Sequence, residues 1–231
     1  MKQTIAQAIL LPAAAAILLG LNISAHADTL ILGSPSGGNA FPFGNYGGEY
    51  QEDYAGSLFT GPIVISSIGF ESSTGFTATA DDTFTISLAP TTVAPGSLST
   101  TYADNETTPL TQVFSGTESA TLLGTDTPDY IIPITPFTYD PTGGQNLLMD
   151  IDISNLSGTG IVAFSQASQA TIGRVFNVNG FGSETSTDQN GLVTILGETP
   201  VATPEPSPLG ALAVGLAMVT GLLVYKKKRK A

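Results

Sequence analysis

Short segments in which apolar and polar residues alternate recur along the middle of the chain. Positions 147, 149, 151 and 153 are apolar, and residues 83–88 show the same alternation. Successive side chains of a strand point to opposite faces, so this period of two predicts half-buried β-strands. Further stretches rich in β-forming residues cover 63–70, 130–138, 160–165, 174–178 and 192–196.

Turn-forming residues separate these segments. Pro and Gly cluster in residues 89–96 and 140–144, and Asn190-Gly191 is a tight-turn signal that should lead into the last strand. Residues 33–50, rich in Gly, Asn and aromatic residues, are expected to form a long loop. The pattern predicts one all-β domain over residues 28–198, an antiparallel β-sandwich of jelly-roll-like type.

The N-terminal residues have the features of an export signal. An apolar run of 14 residues, 8–21, precedes Ala25-His26-Ala27, the small-x-small pattern that signal peptidase reads. We expect a signal peptide over residues 1–27, with Ala25 and Ala27 as its recognition residues and Asp28 as the first residue of the mature chain.

The C-terminal end has three parts. A Pro-rich linker, 199–208, contains Pro204-Glu205-Pro206, and an uncharged apolar run of 17 residues, 209–225, follows. At about 1.5 Å per residue this run spans roughly 25 Å, the short end of what crosses a bilayer as one helix. Residues 226–231 form a basic tail that should stay cytoplasmic as a membrane stop. Its charged residues are Lys226, Lys227, Lys228, Arg229 and Lys230.

The order of motif, membrane helix and basic stop resembles the PEP-CTERM sorting signal. The phrases at 50–54, 59–63, 144–151 and 191–194 are similar to phrases of β-rich PEP-CTERM ectodomains. The resemblance implies that exosortase acts at Pro204-Glu205-Pro206 and that the body reaches the cell surface or an extracellular exopolysaccharide matrix. A plain single-pass membrane anchor is the alternative, and the sequence leaves open whether the helix is removed.

Composition restricts the chemistry of the exported body. Residues 28–200 contain one arginine, Arg174, against 18 acidic residues, a formal charge of −17, and they contain no cysteine or histidine. Such a surface repels nucleic acid. Disulfides, His-dependent nucleophiles and ordinary zinc sites are excluded by residue type. We therefore expect a non-enzymatic protein, with a two-carboxylate glycosidase as the catalytic route still open.

The acidic residues suggest one candidate metal site. Asp150 and Asp152 lie two apart on a predicted strand and thus on one face, and calcium takes oxygen ligands. Asp81-Asp82, Asp126 with Asp129, and Asp188-x-Asn190-Gly191 are weaker candidates. A solvated acidic face is the alternative. The second functional hypothesis is accordingly a secreted carbohydrate-binding module, calcium-dependent in one form, and the expected processing partners are signal peptidase, exosortase and the membrane.

Overall fold

The computed structural model describes residues 28–44, 47–126, 128–160 and 162–199. Within these residues the secondary structure is β-strands and short 3-10 turns. In chain order the strands are β1 Asp28–Leu32, β2 Pro35–Asn39, β3 Glu49–Tyr54, β4 Ile63–Glu71, β5 Ala78–Thr91, β6 Thr111–Leu122, β7 Pro128–Tyr139, β8 Asn146–Asn155, β9 Gly158–Gly160, β10 Phe164–Ser168, β11 Ile172–Asn177, β12 Thr185–Asp188, β13 Asn190–Leu192 and β14 Thr194–Thr199.

The strands form three sheets, and every pairing between them is antiparallel. One sheet has the order β1-β14-β4-β7, and a small one has the order β13-β10-β2. The seven-stranded sheet has the order β12-β11-β3-β8-β5-β6, with β9 also paired to β5. The predicted all-β, antiparallel fold is confirmed, and its form is sandwich-like.

A cluster of aromatic rings lies between the sheets. The ring of Phe43 packs 5.5 Å from Phe70 of the four-stranded sheet and 5.1 Å from Phe84 of the seven-stranded sheet, measured between centroids. Phe164 of the small sheet lies 5.7 Å from Phe43. These contacts join all three sheets in one core, which also buries the alternating apolar positions predicted in β8. That core consists of the inward-facing side chains of both larger sheets, as the alternation requires.

The connection between β5 and β6, residues 92–110, lies across the outer face of the seven-stranded sheet, and we call it the strap. It contains two 3-10 turns, Pro95–Ser97 and Tyr102–Asn105. Its contact with the sheet is close: a Cβ atom added to Gly173 of β11 would lie 1.9 Å from the carbonyl oxygen of Pro95. Glycine at this position therefore allows the strap to lie on the sheet.

Two local predictions are wrong. Residues 33–50 are not one loop, because β2 and the start of β3 lie within them. Asn190-Gly191 does not form the turn before the last strand but belongs to β13, with Asn190 opposite Ser168 and Gly191 opposite Ala167. Pairing with a third strand thus overrides the local turn preference of this dipeptide.

The chain divides into two units, residues 1–200 and 201–231, and the residues described all belong to the first. In the described part of the chain, no helix has the length and apolar character needed to cross a membrane. The predicted signal peptide, the linker beyond Thr199, the apolar run 209–225 and the basic tail lie outside the described residues.

Candidate functional site

Three carboxylates converge on the outer face of the seven-stranded sheet, and we call them the acidic cluster. They belong to Glu49, Glu106 and Asp150, and one oxygen atom from each lies within 4.8 Å of the other two. Asp150 is only 7% exposed, while Glu49 and Glu106 are half-buried. The predicted ligand Asp150 is therefore part of a real cluster of oxygen atoms, with partners that were not predicted.

Strand register brings two of these residues together. In the pairing of β3 with β8, Gln51 lies opposite Asp150 and Glu49 lies opposite Asp152. The intervening residues Tyr50 and Ile151 point into the core, so Glu49, Gln51, Asp150 and Asp152 share the outer face. Asp152 is exposed and stands beside the acidic cluster.

The strap supplies the third carboxylate. The buried Asn105 donates from Nδ2 to Oε1 of Gln51 at 3.0 Å, and this contact places Glu106 above the sheet. Gln51 in turn donates from Nε2 to Asp150 at 2.9 Å and to Glu106 at 3.3 Å. The hydroxyl of Tyr102 donates to the main-chain oxygen of Glu49 at 2.5 Å. A single glutamine amide thus links both strands to the strap.

The electrostatics of the acidic cluster favour bound protons. Burial, followed by the charges of Asp150, Asp152 and Glu106, raises the pKa of Glu49 to about 7. Burial also raises the pKa of Asp150 to about 6, although the hydrogen bond from Gln51 opposes this. Glu49 and Asp150 interact directly, and both carboxyl groups hold protons more readily than they would in solution.

The arrangement of charges in the acidic cluster would also suit a cation. Three ionised carboxylates at this separation repel one another strongly, and only a proton or a positive ion relieves the repulsion. Calcium takes six to eight oxygen ligands, and carboxylates of this kind are among them. Glu49, Glu106 and Asp150 would supply three, and the carboxylate of Asp152 stands next to them. Asp150 is almost closed to solvent, so its carboxylate would be reached by a proton or a small ion before a larger molecule.

Asp126 and Asp129, a second acidic pair singled out in the sequence, have structural partners. Asp126 accepts from the amide of Thr74 at 3.0 Å and from the hydroxyl of Ser165 at 2.9 Å. Asp129 accepts from the hydroxyl of Ser72 at 2.6 Å. These contacts tie the turn between β6 and β7 to the residues that follow β4. The two acids therefore act as turn-fixing acceptors rather than as one site.

Asp188, the first residue of the partial calcium-loop pattern, is taken up by an ion pair. It accepts from Nε of Arg174 at 2.7 Å and from Nη2 at 2.9 Å. Burial alone would raise the pKa of Asp188, but the two hydrogen bonds and the charge of Arg174 hold it below its usual value. The predicted partial loop is thus a bidentate salt bridge between β11 and β12.

Arg174 also faces a fully buried carboxyl, Glu52, which lies directly opposite it on β3. Glu52 accepts hydrogen bonds from the hydroxyl of Tyr50 at 2.6 Å and from the amide of Leu192 at 2.9 Å. Burial nevertheless raises the pKa of Glu52 to about 7. The guanidinium lies 4.3 Å from the ring centroid of Phe176, a cation–π contact. We call Glu52 and Arg174 the inner site. Hydrogen-bond donors and one positively charged side chain surround the carboxyl group of Glu52 there.

Sequence reasoning missed Glu49, Gln51 and Glu106. Glu49 lies at the end of the region expected to be a loop, and Glu106 lies in a connection without periodicity. Tyr50 and Tyr54 were a usable signal, because their even spacing places both on one face of a strand and leaves Glu49 and Gln51 on the other face.

The residues predicted to act in processing lie outside the described part of the chain. They are Ala25, Ala27, Pro204, Glu205, Pro206, Lys226, Lys227, Lys228, Arg229 and Lys230. No protein-family model matches this chain, and no curated protein or solved structure is significantly similar to it.

Proposed function

We propose that this chain is an exported, non-enzymatic protein of the cell surface or extracellular matrix, delivered by a PEP-CTERM-like sorting signal. The observation that carries the proposal is the order of the C-terminal parts: Pro204-Glu205-Pro206, the apolar run 209–225 and five basic residues. In this proposal signal peptidase removes residues 1–27, and exosortase acts at the Pro-Glu-Pro motif while the apolar run holds the precursor in the inner membrane. The folded body of the protein is sandwich-like, and we propose that its strands follow a jelly-roll arrangement.

The placement of the two ends of the body supports this course of events. β1 begins at Asp28, the residue expected to follow the signal-peptide cleavage, and β14 ends at Thr199, the first residue of the predicted Pro-rich linker. The two strands pair antiparallel, with Asp28 opposite Glu198. Both ends of the folded body therefore leave it at the same place, which allows both to be attached to one membrane before processing.

Mass spectrometry of both termini of the protein recovered from the cell surface tests the proposal. We expect an N-terminal peptide that starts at Asp28 and no peptide that reaches Tyr225. Replacing Pro204, Glu205 and Pro206 with alanine should trap the precursor in the inner membrane. The double variant Pro200→Ala, Pro208→Ala is the matched control, since it removes linker prolines outside the motif. Equal delivery of all forms, or intact C-terminal peptides at the surface, would contradict exosortase processing.

The second candidate is a carbohydrate-binding module, and one observation favours it. On the outer face, hydroxyl groups pair across β5 and its neighbours: Thr83 with Thr117 at 2.8 Å and Thr79 with Thr159 at 2.9 Å, all exposed. Such hydroxyls can bond to the hydroxyls of a sugar chain. A glycan array probed with and without a calcium chelator decides between the two functions. Saturable binding that free glycan competes away would favour the module, and calcium-dependent binding would involve the acidic cluster.

A further inference from the structure

A small cavity lies beside the aromatic core, at the end of the seven-stranded sheet where β5 meets β9. Its volume is about 150 Å³, and its walls include Phe43, Leu156 and Val162 together with Asp82 and the residues of β9. A cavity of this volume accommodates an organic group of about six non-hydrogen atoms. The residues of its wall are mixed, because apolar residues and one acidic residue line it together.

Asp82 is the unusual part of this cavity. The residue is 1% exposed, and its Oδ1 accepts from the amide of Ser157 at 3.0 Å. Its Oδ2 is buried and has no hydrogen-bond partner within the described residues. Buried carboxylate oxygens are nearly always paired, because leaving one unpaired costs free energy. No hydroxyl group of the described residues forms a hydrogen bond with this oxygen. Among the described residues this oxygen therefore has room for a further donor.

The surroundings select a cationic donor. The body has one basic residue against 18 acidic ones, and Asp81 precedes Asp82 directly in β5. A negative field of this kind concentrates cations at a carboxylate. Phe43, also in the cavity wall, offers an apolar contact to the carbon atoms that carry such a group. A primary ammonium combines charge with three N–H donors in a small volume, as the cavity requires.

We propose that this cavity binds the primary ammonium group of a small organic amine, with Asp82 as its counter-ion and Phe43 against its alkyl part. The proposal is independent of the sorting signal. The cavity is separate from the acidic cluster. Asp150 lies opposite Ser87 of β5, whereas Asp82 lies five residues away along that strand. An amino sugar or a short aliphatic amine could present the same group.

The test is a titration of the purified full chain with butylammonium. Calorimetry measures the binding, and the amide NMR signals of Ser157 and Gly158 locate it. We expect saturable binding that shifts these signals. Butan-1-ol has the same shape without the charge and should bind at least about tenfold more weakly, because a charge-assisted hydrogen bond is lost. Tetramethylammonium, which has charge but no N–H donor, should also bind weakly. Glucosamine in place of butylammonium distinguishes an amino sugar from an aliphatic amine.

Two neighbouring acids provide a matched pair of variants. Asp82→Asn should reduce butylammonium affinity at least about tenfold. Asp81→Asn removes the same charge, but the Asp81 side chain is exposed and paired with Ser119, so its affinity should stay within about threefold. Equal losses in both variants, equal binding of the alcohol, or no saturable binding would each overturn the proposal. If Asp82→Asn does not fold, competition between the amine and the alcohol on the unmodified protein decides the question.

Discussion

Glu52 and Glu49 lie three residues apart on one strand, yet their carboxyl groups are stabilised in opposite ways. Glu52, on the inner face, has two hydrogen-bond donors and the guanidinium of Arg174 opposite it. Glu49, on the outer face, has Asp150, Asp152 and Glu106 around it, and all three raise its pKa. The inner site brings its own positive charge, whereas the outer site depends on protons or cations from solution.

This contrast follows from composition. A body with one arginine can neutralise one group of buried acids, and the structure places Arg174 at the inner site, where β3, β11 and β12 meet. Every other buried carboxyl in the described residues must be neutral, hydrogen-bonded or matched by an external ion. Stability of this protein should therefore respond strongly to pH and to cations.

The largest expected effect comes from removing the one internal cation. Arg174→Met leaves the fully buried Glu52 and the half-buried Asp188 without their partner, which should cost about 3–5 kcal/mol of unfolding free energy. For a domain of this size the melting temperature should fall by about 10 °C. Urea unfolding and thermal melts measure this. Arg174→Lys, which keeps the charge but loses the bidentate contact, should give an intermediate loss, and a midpoint close to that of the unmodified protein would show that the pair contributes little.

The second prediction concerns pH. Burial raises the pKa of Glu49 and Glu52 to about 7, of Asp53 to about 8, and of Asp82 and Asp150 to about 6. In the unfolded chain these groups titrate near pH 4. Between about pH 4 and 8 the folded state therefore holds more protons than the unfolded state, so the free energy of unfolding must fall as pH rises. Melts across this range should show the highest midpoint on the acidic side.

A matched pair of variants separates this effect from general charge repulsion. Glu52→Gln is neutral at every pH and should flatten the decline, because one of the buried titrations is gone. Asp104→Asn removes an exposed charge from the strap and should leave the slope nearly unchanged. Equal slopes in both variants would attribute the pH dependence to net charge alone.

The same comparison shows how far the sequence could lead. The alternation in β8 predicted which side chains enter the core and placed Asp150 and Asp152 on the outer face, because alternation is a local property of strands. The strand β3 was harder to recognise, since Gln51, Glu52 and Asp53 are polar and yet all fully buried. The partners of Asp150 could not be predicted, because Glu106 is 44 positions away and reaches it only through the strap. That placement depends on tertiary contacts, among them Gly173 against Pro95 and Asn105 against Gln51.

The third prediction tests the strap. Asn105 is fully buried, and it also accepts from the amide of Ser99 at 2.8 Å. Asn105→Ala removes these bonds and leaves Oε1 of Gln51 without its donor, which should cost about 2 kcal/mol. Hydrogen exchange of residues 92–110 should become faster than in the rest of the body. Asp104→Ala, one position earlier and exposed, is the control. Unchanged exchange in Asn105→Ala would mean that the strap is held by packing instead.

The smallest expected effect, and the one that tests the acidic cluster most directly, is stabilisation by calcium. A cation that binds the folded state alone adds about 1.4 kcal/mol when its concentration is ten times its dissociation constant. Salt screening also stabilises an acidic protein, so melts in millimolar calcium must be compared with sodium at equal ionic strength.

Asp150→Asn should remove the calcium-specific rise, because Asp150 is the buried member of the cluster. Asp152→Asn should retain part of it, since Asp152 is exposed and stands beside the cluster. Asp126→Asn, whose carboxylate fixes a turn elsewhere, should leave it unchanged. Coinciding midpoints in the two salts would mean that protons alone neutralise the acidic cluster. A rise that survives Asp150→Asn would place the cation at other carboxylates.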